Sequence, residues 1–298
     1  MTVQELNNEF GTPGIRFYND SHGLVCVELK NPAGKAVIAL HGAHLMSYIP
    51  EGQRDVLWMS GESYFAAGKP IRGGIPVCWP WFGGHPSDPD MPSHGFARLS
   101  DWEAIAAGED NGATFIELAL TPGLIPEKFR NGDFLVKLRV ELSDKLSAAL
   151  IIENTDDKEL AFSAALHSYF NISDISAISI SGLDGRAFID TLDDTRHVQE
   201  GDIRFAAETD LVYPDTEDTC IIDDPGFERK IKVAKNGSRS AVVWNPWKAK
   251  SVRMPDFGDE EYHSMVCVET TNAETDARTL APGESHTLQV IIESESQG

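Results

Sequence analysis

Alternation of apolar and polar residues is the commonest pattern along the chain. In FLVKLRVEL, residues 134–142, Phe134, Val136, Leu138, Val140 and Leu142 fall on one side of an extended backbone, and Lys137, Arg139 and Glu141 on the other. A pleated strand turns successive side chains to opposite faces, so this spacing predicts a half-buried strand. LSAALIIENT, 146–155, follows after Ser-Asp-Lys and reads as its hairpin partner. Further strands are predicted over 23–29, 36–40, 55–60, 114–120, 177–183, 229–235, 241–245, 265–271 and 286–294. Asn236-Gly237-Ser238, between two of them, is a strong turn signal. Helix-period stretches are scarce. More than ten strands with few helices predict an all-β chain, built as a large antiparallel sandwich or barrel. No Pro/Ser/Gly-rich linker, compositional step or internal repeat divides it, so residues 1–298 read as one domain. The loop-rich segment 61–100 holds much of the aromatic content, and long loops in compact domains are usually functional.

Composition narrows the function. The 298 residues are 41% hydrophobic and 24% charged, as in ordinary globular proteins. Asp+Glu is 47 against 25 Lys+Arg, a net charge of −22. A field of that sign repels nucleic acid and anionic membranes, which argues against both as partners. No apolar run approaches the roughly 18–20 residues that span a bilayer. MTVQELNNEFGTPG has neither the basic nor the apolar region of a signal peptide, so a cytoplasmic protein is expected. Cys26, Cys78, Cys220 and Cys267 are far apart and form no CxxC. Neither a zinc site nor a disulfide framework is suggested, and four reduced thiols are expected.

Several residues could carry chemistry. RGGIPVCWPWFG, 72–83, combines backbone freedom at Gly73 and Gly74 with the flat apolar faces of Trp79, Trp81 and Phe82. Those faces could stack on a sugar ring or simply pack a core. Arg72 and Arg98 are forked cations suited to carboxylate or phosphate, or to pairing with the chain's own carboxylates. His167 lies in the apolar run ALHSYF, a setting shared by hydrogen-bonded core histidines. Glu269 lies in MVCVETT, where a lone carboxylate is costly to bury unless paired or protonated. An apolar setting raises its pKa, which suits a general base near neutral pH. Asp210 belongs to the acidic stretch ETDLVYPDTEDT, in which Asp215, Glu217 and Asp218 lack the EF-hand pattern of a Ca²⁺ loop. His41 and His44, in LHGAHL, have i, i+3 spacing, but Gly42 between them in a strand context argues against a metal pair.

In combination these segments cease to look independent. RGGIPVCWPWFG, PSHGFAR, ALHSYFN, TDLVY and VCVET, in this order, resemble the D-hexose-6-phosphate mutarotases (glucose-6-phosphate 1-epimerases) of the aldose 1-epimerase superfamily. LHGAHLMSYIP and VVWNP fit the same pattern, so the likeness runs over about residues 40–290. The resemblance implies a galactose-mutarotase-like β-supersandwich acting on a ring-form aldose. His167 matches the family's catalytic histidine and Glu269 its catalytic glutamate. Arg72 and Arg98 match arginines associated with the phosphorylated sugar, and His94 and Asp210 match positions lining the sugar pocket. Two departures are visible: Leu211 follows Asp210 where the family often has Arg, and Ser93 precedes His94 where Gln is common.

Exchange of α and β anomers needs two groups beside one acetal carbon. A base takes the C1 hydroxyl proton while an acid protonates the ring oxygen and the C1–O5 bond breaks. Rotation about C1–C2 presents the other carbonyl face, and the roles reverse. Glu269 is expected as base and His167 as acid, with nearby carboxylates such as Asp210 favouring a protonated imidazole. Positioned acid–base groups contribute about 10²–10⁴-fold each, enough for a reaction already measurable in water, so neither metal nor cofactor is expected. The expected partner is a small-molecule phosphosugar, with no obligate protein partner. Three rivals stand beside this reading: a mutarotase of unphosphorylated aldoses, a glycosidase using Glu269 with Asp210, and a non-catalytic carbohydrate-binding sandwich.

Overall fold

A computed structural model describes residues 1–130 and 132–297. The alternating segments build two eight-stranded antiparallel sheets, with a four-stranded and a two-stranded sheet beside them. One large sheet runs Ser179–Ser181, Cys220–Asp224, Arg229–Asn236, Ser285–Ser296, Leu146–Asn154, Phe134–Leu142, Ala113–Leu120, Glu103–Asp110. Phe134–Leu142 and Leu146–Asn154 pair without interruption from Phe134↔Asn154 to Leu142↔Leu146, the hairpin the alternation predicts. Val136, Leu138, Val140, Leu142, Leu146, Ala148, Leu150 and Ile152 are buried. On the other face Lys137 and Arg139 both pair with Glu117 of the neighbouring strand. One face thus serves the core and the other a charge ladder, the arrangement that pins a strand's register.

The second large sheet runs Thr195–Val198, Ala187–Asp190, Thr209–Tyr213, Ser240–Asn245, Met265–Asn272, Ala164–Leu166, Val77–Cys78, and Tyr169–Asn171 also pairs with Met265–Asn272. Every residue of Ser240–Asn245 and Met265–Asn272 is buried. Burial on both faces explains why these runs read as continuously apolar rather than alternating.

The Asn236-Gly237-Ser238 turn does not close a hairpin. Arg229–Asn236 belongs to the first large sheet and Ser240–Asn245 to the second, so the turn carries the chain between sheets. Segment 55–60 is not a strand either: it forms only isolated bridges, Leu57↔Phe170 and Met59↔Gly73. Near the start, Val3–Phe10 is a helix whose first turn is closed by Thr2 and Glu5 in a capping box. Eight residues are too few to leave a clear helical period. Among the described residues no helix is long and apolar enough to cross a membrane.

Segment 61–100 supplies the last strand of the second sheet, Val77–Cys78, and is held by tight backbone contacts. Trp79 bridges Gly95, whose φ of +73° is in the left-handed region, and a Cβ on Gly95 would lie 2.0 Å from the Trp79 carbonyl oxygen. Trp79 and Trp81 are core residues. Trp79 sits edge-on to Phe96 and Phe134, and Trp81 donates from Nε1 to the Pro92 carbonyl at 2.8 Å. Phe82 alone of the three is half-buried. Gly95→Ala is therefore expected to lower stability by more than about 1 kcal/mol, because the new methyl meets backbone in a conformation L residues avoid. Urea denaturation measures this, and an unchanged midpoint would contradict the close approach.

Candidate active site

The break between Ala164–Leu166 and Tyr169–Asn171 falls at His167 and Ser168. Leu166 stands opposite Thr270 and Tyr169 opposite Cys267, so one register runs through the break and sets His167 opposite Glu269. Directly opposed residues hold their side chains side by side. His167 Nε2 lies 3.3 Å from Glu269 Oε1. Across the same sheet Cys267 faces Trp244, and Trp244 faces Asp210. Side chains two apart on a strand share a face. One face therefore presents a row of Tyr169, Cys267, Trp244 and Asp210 beside a row holding His167 and Glu269. The ring contacts agree: His167 stacks on Tyr169 at 4.8 Å and meets Trp244 edge-on at 6.1 Å.

Segment 61–100 brings the remaining candidates to this face. The His94 ring lies 5.7 Å from that of His167 and 5.1 Å from that of Phe82. His94 Nδ1 accepts from the Gly83 N–H at 3.2 Å, which leaves its proton on Nε2 as a donor. Arg72 is fully engaged. Its guanidinium binds both Asp256 oxygens, at 3.1–3.3 Å, and donates to the Tyr169 hydroxyl at 2.9 Å. Burial opposes its charge, but Tyr169 and Asp256 more than restore it. Arg98 differs: it donates to the Ser93 carbonyl at 2.8 Å, and its Nε is buried with no partner among the described residues. Among the described residues no carboxylate lies within ion-pair distance of Arg98. Asp210, beyond Trp244, is 3.9 Å from Lys250, which also pairs with Glu208 at 3.2 Å. Lys250 lies over the Trp244 ring.

The six residues matched to the family's site, Arg72, His94, Arg98, His167, Asp210 and Glu269, thus lie near one another. Tyr169, Trp244, Lys250 and Asp256 join them and were not singled out. For Tyr169 the signal was present, since it is two residues from His167. Asp256 and Lys250 gave none, because nothing local in MPDFGD or WKAKS records which arginine or aspartate they meet.

Burial reverses one expectation. His167 is not favoured as an imidazolium. Burial holds its pKa well below the usual value, and His94, Arg72 and Arg98 push it the same way. Burial lifts the Glu269 carboxyl well above its usual range, with the Asp210 charge adding to it. Asp210 therefore acts on Glu269 rather than on His167. Both shifts favour uncharged groups, a neutral imidazole beside a carboxylic acid. Neutral imidazole with carboxylic acid, and imidazolium with carboxylate, differ only in where one proton sits.

The other sequence candidates are structural. His41 bonds Asp101 at 2.8 Å and the Lys69 carbonyl at 2.9 Å. Asp215 and Glu217 pair with Arg239, and Asp218 pairs with Arg186. The four cysteines are free and buried. A cavity of about 680 Å³ is lined by Trp79, Trp81, Phe82, Phe129, Phe134 and Arg278, and it does not include the His–Glu pair. His167, Cys267 and Glu269 are a donor set that could hold a metal ion, a grouping that linear spacing did not reveal.

The profile of the aldose 1-epimerase family matches residues 25–293. The chain belongs to the aldose 1-epimerase family. A Salmonella typhimurium protein provisionally named glucose-6-phosphate 1-epimerase is 37% identical over 274 residues, covering 91% of this chain and 90% of that one. A crystal structure from the same organism, provisionally called a mutarotase, superposes with a TM-score of 0.87 at 34% identity, covering 96% and 95% of the two chains. A galactose mutarotase related enzyme of Lactobacillus acidophilus shares the fold, with a TM-score of 0.70 at 16% identity and coverage of 91% and 97%. As a family member the chain is an isomerase with the galactose-mutarotase-like β-sandwich fold.

His44 holds the start of RGGIPVCWPWFG: its Nε2 lies 2.9 Å from the Gly73 carbonyl oxygen. Burial pushes its pKa down to about 3. The unfolded chain takes up this proton near pH 6.5 and the folded chain only near pH 3, so the neutral ring contributes full stability above pH 6.5 and loses it as pH falls. Between pH 6.5 and 5 the loss is about 2 kcal/mol for this one group. Chemical denaturation at the two pH values should show a shallower dependence in His44→Gln, and equal slopes would contradict the assignment.

Proposed function

We propose that this isomerase interconverts the α and β anomers of a hexose 6-phosphate, glucose 6-phosphate being the expected substrate. The observation that carries the reading is a half-buried arginine, Arg98, left without a carboxylate beside a buried His–Glu pair. In a chain of net charge −22, a guanidinium without a carboxylate partner supplies the local positive potential an anionic substrate needs. The names of the relatives point the same way.

Glu269 acts as base toward the C1 hydroxyl and His167 as acid toward the ring oxygen. Both oxygens sit on one carbon, so an acid and a base 3.3 Å apart suit them. The reactive tautomer is reached by moving the shared proton from carboxyl to imidazole. After C1–O5 cleavage and rotation about C1–C2, the proton flow reverses. His94 offers its Nε2–H, and Asp210 accepts from sugar hydroxyls. Arg98 clamps the phosphate, and Arg72 adds a guanidinium fixed by Asp256 and Tyr169. Both arginines disfavour a proton on His167. A bound phosphate cancels that repulsion, so the substrate's own anion raises the imidazole's hold on its proton. No cofactor or metal enters the scheme. Residues 1–298 act as one domain, and buried free thiols support a cytoplasmic location.

One observation favours a second reading. Arg72 is already neutralised by Asp256, which suits a site for unphosphorylated aldoses. Anomerisation of freshly dissolved α-glucose 6-phosphate, α-glucose and α-galactose, followed by NMR, decides between them.

Two variants test the roles. Glu269→Gln keeps the shape and removes the base, so turnover should fall about 10²–10⁴-fold with the fold intact. Near-wild-type turnover would remove Glu269 from the mechanism. Arg98→Ala should weaken glucose 6-phosphate affinity about 10- to 100-fold, the worth of one charge-assisted bond, and largely spare glucose. The penalty should shrink as salt rises. Arg72→Ala also strips Asp256 and Tyr169 of their partner, so it should lower stability and harm both sugars. Equal losses on both sugars in Arg98→Ala would sink the phosphate clamp.

A further inference from the structure

The face that carries His167 and Glu269 also carries a residue the acid–base scheme leaves idle. Cys267 is two positions from Glu269 on the same strand and stands opposite Tyr169. Donor atoms of His167, Cys267 and Glu269 all lie within 4.8 Å of one another. Imidazole nitrogen, thiolate sulfur and carboxylate oxygen are the three ligand types of zinc sites, with bonds of about 2.0–2.1, 2.3 and 2.0–2.2 Å. Tetrahedral bonds of those lengths set the donors roughly 3.3–3.7 Å apart. The His–Glu separation, 3.3 Å, already meets this, and the sulfur needs a shift of about 1 Å. Glu269, 2% exposed, also has a buried Oε2 with no hydrogen-bond partner among the described residues, an acceptor that a cation would satisfy.

We propose that His167, Cys267 and Glu269 form a binding site for Zn²⁺, and that occupying it switches the enzyme off. Zn²⁺ takes both members of the acid–base pair as ligands, so metal binding and catalysis exclude each other; this consequence rests on the acid–base reading above. The charges balance. The metal displaces the thiol proton and the single proton shared by the pair, and both leave to solvent. Two protons are exchanged for one dication, so the buried cluster is neutral before and after. Three protein ligands leave a fourth position open, as in other zinc sites of that kind. Lasting zinc sites usually give the ligating imidazole an outer partner for its second nitrogen. His167 Nδ1 has none, which makes this an exchangeable, inhibitory site.

Two measurements test it. In metal-free buffer, Zn²⁺ should suppress anomerisation of glucose 6-phosphate at least about tenfold, Mg²⁺ should not, and EDTA should restore it. Cys267→Ala should turn over normally without metal and need at least about tenfold more Zn²⁺ for the same inhibition. Cys267→Ser stands in should the alanine variant misfold. Separately, Co²⁺ added to wild type should give the thiolate-to-metal charge-transfer absorption, which both variants should lose. A wild type indifferent to Zn²⁺, or variants as sensitive as wild type, would overturn the site. The Co²⁺ band in a protein that fails to anomerise sugars would keep the site and discard the acid–base reading. Full turnover with no band would do the opposite.

Discussion

A histidine and a glutamate face each other across one strand pair in a place from which water is largely excluded. The rest of the molecule can be read as what that arrangement requires. Excluding water makes each charge costly, so burial favours a neutral imidazole beside a protonated carboxyl, together carrying one proton to give and one site to receive. That proton inventory is what a reaction needs if it must give a proton and take another at the same carbon. The sheet around it holds the arrangement in register, because Met265–Asn272 is buried along its length and paired on both edges.

Control of charge falls to a different part of the chain. The sheet face supplies carboxylates and rings, and segment 61–100 supplies the guanidinium groups. That segment is held by backbone, with Gly95 against Trp79 and the Gly73 carbonyl on His44. Two arginines of identical chemistry thereby receive different settings. Arg72 is locked into a triad with Asp256 and Tyr169, and Arg98 is anchored only through a carbonyl. One can serve as framework and the other as an open hand.

Much of this was legible in the sequence. The pairing of 134–142 with 146–154 follows from alternation alone, since one side of each strand must leave water. Glu269 is conspicuous as a carboxylate in an apolar run. Its partner is not, because His167 meets it only through a register set between segments a hundred residues apart. The protonation of His167 departs from expectation for a related reason: a carboxylate placed in the same pocket says nothing about depth, and depth decides it. Trp79 and Trp81 show the same limit, since an aromatic suited to a sugar is equally suited to a core. The path of the Asn236-Gly237-Ser238 turn between sheets was also hidden, because a turn signal fixes local backbone and not the strand that follows.

The strand break at 167–168 bears on how this gene can change. Leu166↔Thr270 and Tyr169↔Cys267 are one register, so the break adds no residue and removes none. Inserting or deleting a single residue there would turn either His167 or Tyr169 to the opposite face, away from Glu269 or from Arg72. Substitutions can be sampled across this segment one at a time, whereas its length cannot drift. Surface loops elsewhere in the chain are free to lengthen and shorten, so among diverging relatives the spacing from Leu166 to Tyr169 should stay frozen even where the residues around it are rewritten.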